Sequence, residues 1–378
     1  MRYDIAIAGG GPAGSACALS LRAHAPALRV VMIESSQYDR PRLGESLPPI
    51  ARPLLEHLGV FELFRAAGHK QTFGTAAAWG APKLFESDFV FYARGDGWHV
   101  DRAAFDAMLA NEAARRGVTR IAGVSVRDAE HSRVGWRVML SSGETLAARF
   151  LVDATGSGSL VTRACGAALI AIDHLVSFGR FFESDDEAGD PRTIVEAFED
   201  GWWYTASLPN ARRFAACMTD ADIARRLRLS DVDVWNAAAA AMPVIGSLLA
   251  HASSPGPLVA RAAESRYIDP ASGDDWLAVG DSASRFDPLA SQGIVKALRS
   301  GIFASYAIGD LLTRSDTRGM TRYRAFVRAE FDSFAAARAK YYGEEARWPD
   351  REFWSRRRTP VTSGGADTYV LTSRTNEQ

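Results

Sequence analysis

The residues most able to do chemistry lie in the turn Gly9-Gly10-Gly11-Pro12-Ala13-Gly14, a Gly-x-Gly-x-x-Gly pattern that follows the apolar run Tyr3-Asp4-Ile5-Ala6-Ile7-Ala8. Such a turn suits a pyrophosphate: Gly9 allows the tight bend, Gly11 lets the backbone approach a ligand, and Gly14 permits close helix packing. A carboxylate at the end of the next strand would hold a ribose 2′-hydroxyl. Glu34 stands there, twenty residues beyond Gly14. Two further apolar strands end in glycine turns, at Asp153-Ala154-Thr155-Gly156 and at Gly280-Asp281, the latter leading to Pro288 and Ser291-Gln292-Gly293-Ile294. One dinucleotide needs only the first turn. Three point to a ligand extended along a sheet, with an isoalloxazine at its far end. Backbone N–H groups at a helix start over 291–294 can stabilise negative charge on such a ligand, and Gln292 and Gly293 take that role.

These turns need elements to hold them. The apolar run reads as a buried strand, residues 15–22 as an Ala/Leu-rich helix, and 29–33 as a second strand. Apolar spacing predicts a helix over 51–67 with a pause at Gly59, and another over 102–116. Strands are expected over 72–79, 88–92, 118–126, 135–140 and 144–146, the last two joined as a hairpin through Ser141-Ser142-Gly143. The run Phe150-Leu151-Val152 returns to the nucleotide sheet. From 169 to 267 the pattern is mostly β, at 175–182, 193–197, 201–208 and 213–218, with a helix over 231–241. The acidic run 183–190 reads as a solvated loop. Trp276 to Val279 is again a nucleotide-sheet strand, followed by long helices to Leu312 and over 320–342. The domain reading is a discontinuous nucleotide-binding domain (1–68, 98–165, 270–315), a substrate domain (69–97, 166–269), a C-terminal helical element (316–360) and a mobile tail (361–378).

Composition narrows the class. The chain has 378 residues with Lys+Arg 44 against Asp+Glu 45, so no global field argues for nucleic acid or an anionic membrane. Cys17, Cys165 and Cys217 lie far apart without ligand spacing, so disulfides, zinc and any other metal are not expected. No apolar run has the length of a membrane span, and a strand beginning at residue 3 leaves no room for a signal peptide, so a reducing cytoplasm is expected.

The three turns together resemble those of the FAD-dependent monooxygenases of the p-hydroxybenzoate hydroxylase fold. Gly280-Asp281 is similar to the motif whose aspartate contacts the ribityl chain, and Arg102 to the arginine of an Arg-x-x-Phe-Asp helix near the pyrophosphate. Within that family the likeness is to the flavin-dependent halogenases and the related LodB, GoxB and QhpG flavoproteins, which hydroxylate tryptophan in a partner protein during quinone cofactor formation. It rests on Gly44-Glu45-Ser46, on Phe286-x-Pro288-x-x-Ser291-x-Gly293, and on Tyr341-Tyr342-x-x-Glu345-x-Arg347-Trp348 with Phe353-Trp354. The resemblance implies an α/β fold: a Rossmann-like FAD-binding domain of the glutathione reductase type, an inserted β-sheet substrate domain and C-terminal helices. It assigns to FAD the residues Gly9, Gly11, Pro12, Ala13, Gly14, Glu34, Ser35, Arg42, Ser46, Arg102, Ala154, Gly156, Gly280, Asp281, Pro288, Ser291, Gln292, Gly293 and Ile294. Two departures count against halogenation. Where halogenases carry Trp-x-Trp-x-Ile-Pro, this chain has Gly201-Trp202-Trp203-Tyr204-Thr205-Ala206-Ser207-Leu208-Pro209, and Lys70 falls out of step with their lysine.

The implied function is an FAD monooxygenase that uses O2, through a flavin C4a-hydroperoxide, to hydroxylate an electron-rich aromatic, foremost a tryptophan of a partner protein or peptide in tryptophylquinone-type maturation. Glu45, His69, Lys70 and Gln292 are the catalytic candidates, and Trp79, Trp202, Trp203 and Tyr204 the residues that could stack on substrate. No second Gly-x-Gly-x-x-Gly turn appears, so electrons come from NAD(P)H docking directly or from a separate flavin reductase. The alternatives are a flavin-dependent halogenase or small-molecule aromatic hydroxylase, an isoprenoid double-bond reductase, and a non-catalytic flavoprotein chaperone.

Overall fold

The computed structural model describes residues 2–89, 95–158, 160–184 and 190–358. The expected tail over 361–378, residues 185–189 of the acidic run and residues 90–92 of an expected strand lie outside the described residues. Two sheets dominate. The first carries the strands Arg2–Ala8, Val30–Glu34 and Thr119–Ala122 side by side and parallel, with Thr145–Asp153 parallel on the other flank of Arg2–Ala8. Along the far side of Thr145–Asp153 lie Gly135–Leu140, antiparallel, and Trp276–Ala278, parallel to its C-terminal half. Every strand that the three turns follow therefore ends on the same edge of one sheet. That is where a doubly wound sheet binds its ligand.

Local chemistry explains these elements. Pro12 opens the helix Pro12–His24 from the extended Gly11, and Asp101 caps Arg102–Arg115 by accepting the amides of Ala103 (2.9 Å) and Ala104 (3.1 Å). The helix Gly293–Arg314 crosses Pro12–His24 closely because position 301 has no side chain, where a Cβ would stand 2.3 Å from the Ala13 carbonyl oxygen. Gly59 breaks the expected 51–67 helix into Ala51–His57 and Phe61–Ala66.

The expected strand over 118–126 is two strands. Gly123, at φ +76°, turns the chain between Thr119–Ala122 and Val126–Ser132, and the second pairs antiparallel with Gly135–Leu140. The expected strand over 72–79 likewise breaks after Thr72, so Lys70–Thr72 joins a small sheet with Gly97–His99 and Ser46–Leu47 while Gly74–Ala78 joins the second large sheet. That second sheet runs Ala252–Ser253, Leu175–Ser184, Arg212–Asp220, Gly201–Leu208, Thr193–Phe198, Gly74–Ala78, Phe85–Asp88, with Val259–Ala262 also paired to Leu175–Ser184. The long helix Arg318–Glu344 and the short Glu352–Arg358 close over one face of it. Among the described residues no single helix is long and apolar enough to cross a membrane.

Candidate flavin and substrate site

A cavity of about 1340 Å³ runs from the edge of the first sheet into the second, above the ~300–1,000 Å³ of a site for one drug-sized molecule. All three glycine turns line it. Gly9 and Gly14 are packed from behind, since a Cβ would stand 2.2 Å from the Ala154 carbonyl oxygen at Gly9 and 2.0 Å from the Gly9 carbonyl oxygen at Gly14. Gly11, Gly156 and Gly293 instead line the cavity with no protein atom within 4 Å of where a Cβ would be. A cradle of bare backbone facing a large cavity fits a nucleotide that lies against it.

Around this cradle the charges are already partnered. Glu34 accepts the Gly10 amide (2.7 Å), the Ser36 amide (3.1 Å) and a guanidinium N–H of Arg42 (2.8 Å). Burial pushes its carboxyl upward, but the Gly10 amide and Arg42 prevail and hold it below the usual range, so it meets a ligand ionised. Arg42 also donates to Asp106 at 2.6 Å. Arg102 donates to the carbonyl oxygens of Leu43 (2.7 Å) and Gly44 (3.0 Å), pinning the loop that presents Glu45 and Ser46. Asp281 faces Lys296 at 2.6 Å and Arg285 at 3.6 Å, and against the burial that would raise it these cations keep its carboxyl low.

Where the cavity meets the second sheet it forms a chamber walled by Phe181, Val195, Tyr204 and Met218 from paired strands, and Glu45, Ser46 and Thr193 line the same cavity. Glu45 is buried and hydrogen-bonded to the Tyr204 hydroxyl; burial pushes its carboxyl up, opposed by its amide bonds, Arg102 and Tyr204. Burial and the adjacent Glu45 push the Tyr204 hydroxyl up too, so it stays protonated. Nearby, the buried His99 contacts the Ser207 carbonyl oxygen through Nδ1 (2.8 Å) and the Thr193 hydroxyl through Nε2 (2.8 Å), and Thr193 meets the Ser46 hydroxyl at 3.1 Å. The outer wall carries Arg212, whose guanidinium lies over the Phe181 ring, and the exposed Arg261.

Of the residues assigned to FAD, Gly9, Gly11, Pro12, Ala13, Glu34, Ser35, Arg42, Ser46, Arg102, Ala154, Gly156, Gly280, Asp281, Pro288, Ser291, Gly293 and Ile294 line the cavity. Gly14 and Gln292 do not: Gly14 is covered by Gly9, and Gln292 precedes the helix with its carbonyl oxygen accepting the Lys296 amide. Among the catalytic candidates only Glu45 reaches the cavity. His69 sits among Phe64, Phe105 and a separate small pocket, and burial lowers it to about 4; Lys70 lies in the small sheet opposite His99. Among the substrate candidates only Tyr204 reaches it. Trp202 donates to the Tyr342 hydroxyl at 2.9 Å and Trp203 packs on Trp235, so both are sealed in the core, while the half-buried Trp79 donates to the Tyr341 carbonyl oxygen at 2.8 Å and stands outside the cavity lining. Residues missed from the sequence are His99, Thr193, Arg285, Asp287 and Lys296. A single lysine inside the apolar stretch 294–308, unpaired by sequence-near acids, was a legible signal for the last.

Comparison with known proteins agrees with this geometry. The family model described as tryptophan halogenase matches residues 4–94 and 90–369. LodB of Marinomonas mediterranea, described as an FAD-dependent oxidoreductase, is 31% identical over 364 residues, covering 94% of this chain and 96% of LodB. Among solved structures, CmlS, a flavin-dependent halogenase, superposes with a TM-score of 0.85 at 27% identity, covering 96% of this chain and 68% of CmlS. QhpG, described as a peptidyl tryptophan dihydroxylase essential for tryptophylquinone cofactor biogenesis, superposes with a TM-score of 0.76 at 26% identity, covering 94% of this chain and 79% of QhpG.

Proposed function

The chain belongs to the tryptophan halogenase family of FAD-dependent oxidoreductases, and from that premise we propose that it hydroxylates a tryptophan held in a partner protein or peptide. When bound and reduced, the flavin supplies with O2 an electrophilic oxygen to an electron-rich ring. Everything else falls to the chain. The glycine cradle and Arg102 hold the nucleotide, the amides opening Gly293–Arg314 face anionic charge, and Phe181, Val195 and Met218 exclude water from the ring.

Replacing a ring hydrogen by oxygen releases a proton, and the Glu45 carboxylate is placed to take it, with Tyr204 fixing its orientation. The observation that carries hydroxylation over halogenation is the absence of an ammonium from the chamber. The chain has four lysines, and Lys70, Lys83, Lys296 and Lys340 all lie outside the cavity lining. The likeness to QhpG, described as a peptidyl tryptophan dihydroxylase, supports a peptide-borne ring. A wall open at Asn210, Ala211, Ser254 and Arg261, all exposed, supports it too, since a chain must pass out of the chamber.

The test is co-expression with proteins encoded beside it, followed by intact-mass analysis of each. The reading expects a gain of about 16 or 32 mass units from oxygen insertion. A chlorine or bromine isotope doublet, or modification of free tryptophan but never of a peptide, contradicts it.

A further inference from the structure

The link His99, Thr193, Ser46 has a direction that its chemistry dictates. The Ser207 carbonyl can only accept, so His99 carries a hydrogen on Nδ1. His99 is fully buried and faces the cations Lys70 and Arg213 from the neighbouring strands; burial and those charges lower it to about 4, opposed only by the Ser207 bond, so it is neutral at ordinary pH. A neutral ring with Nδ1 protonated has a bare Nε2, which accepts the Thr193 hydroxyl hydrogen at 2.8 Å. Thr193 has then spent its only hydrogen, so at 3.1 Å it accepts from Ser46. Both hydroxyls thus point their hydrogens inward, and Ser46 turns only lone pairs to the cavity it lines.

We propose that this inward-directed chain, set by His99 as a positioning residue, makes Ser46 an obligate acceptor that reads the ring N–H of the aromatic substrate. An indole nitrogen is a donor and nothing else, so it is matched there, while a ring lacking that hydrogen leaves Ser46 unpaired. The pair stands where the nucleotide part of the cavity meets the chamber of Val195 and Tyr204, since Thr193 and Val195 share one strand and Tyr204 pairs opposite Val195. This inference rests on the hydroxylase reading and adds to it a rule of substrate choice: N–H heteroaromatics over their N-alkylated forms.

The experiment uses holoprotein with oxidised FAD and two probes, a tryptophan-containing peptide and the same peptide bearing 1-methyltryptophan, with binding read from the flavin absorbance. Wild type is expected to prefer the unmethylated peptide by roughly threefold to tenfold, the worth of one net hydrogen bond. Thr193→Val keeps the shape and removes the group that takes the Ser46 hydrogen, leaving that hydroxyl free to turn its hydrogen outward, so the preference narrows while FAD content is unchanged. His99→Gln, whose amide oxygen can still accept from Thr193, keeps a preference. A methyl group that merely clashed would be rejected equally by Thr193→Val, and that result overturns the inference. Equal binding of both peptides to wild type also overturns it and leaves the hydroxylase reading standing, whereas a holoprotein that binds neither peptide overturns both.

Discussion

Glu45 and Tyr204 are coupled through one hydrogen bond, and that coupling fixes the sign of a pH effect. The Tyr204 hydroxyl stabilises the ionised carboxyl, so Tyr204→Phe is expected to raise the Glu45 pKa further and move the acid limb of the rate profile to higher pH. Steady-state rates across pH check this, and an unmoved or lowered limb contradicts it. Glu45→Gln removes the acceptor and is expected to lower turnover by about 10²-fold or more with flavin still bound. His99 supplies a second pH effect, on stability. Its folded pKa of about 4 lies below the ordinary histidine value, so between those values the unfolded chain binds the extra proton. Stability is then complete above about pH 6.5 and falls as the pH drops towards 4, by at most about 3 kcal/mol. Urea midpoints at pH 7 and pH 5 measure the slope, which should shrink in His99→Gln. Glu45 and Tyr204 were already candidates in the sequence, but the His99 link was not legible there, because the partners of His99 lie 94 and 108 residues away.

At the scale of elements, the strand-turn-helix units were legible because each needs glycine at a stated place and a period of apolar residues on either side. Two glycines of the first turn separate folding from binding. Gly14→Ala drives a methyl into the Gly9 carbonyl and should destabilise by about 1–3 kcal/mol or prevent folding. Gly11→Ala meets no protein atom, so it should fold like wild type and lose flavin affinity. Thermal melting and an FAD titration on both variants decide the point. The tryptophans show what sequence pattern cannot settle. Along Gly201–Leu208 alternation puts Trp202 and Tyr204 on one face and Trp203 on the other, yet only Tyr204 meets the cavity. Trp202 is covered from the C-terminal helices, where Tyr342, 140 residues later, takes its indole N–H and shares a buried cluster with it, Phe353 and Trp354. Those helices also hold the third turn: Asp287 accepts from Tyr342 at 2.8 Å and from Arg338 at 3.2 Å. Arg338→Met leaves the buried carboxylates of Asp287 and Asp173 short of their cation, an expected loss of about 3–5 kcal/mol seen as a lower denaturation midpoint.

Over the whole molecule, one cavity joins two sheets built from interleaved segments of chain, and neither sheet encloses it alone. The nucleotide end was readable in advance because backbone chemistry dictates its residues. The chamber end was not, because aliphatic and aromatic walls look the same in sequence whether they face a ligand or a core. The claim everything else needs is that flavin and aromatic ring meet in this cavity. Titration of the apoprotein with FAD, then of the holoprotein with a tryptophan-containing peptide, tests it most directly. The account predicts one flavin per chain and a flavin absorption band that shifts when the peptide binds; a colourless protein, or a bound flavin indifferent to every tryptophan peptide offered, contradicts it.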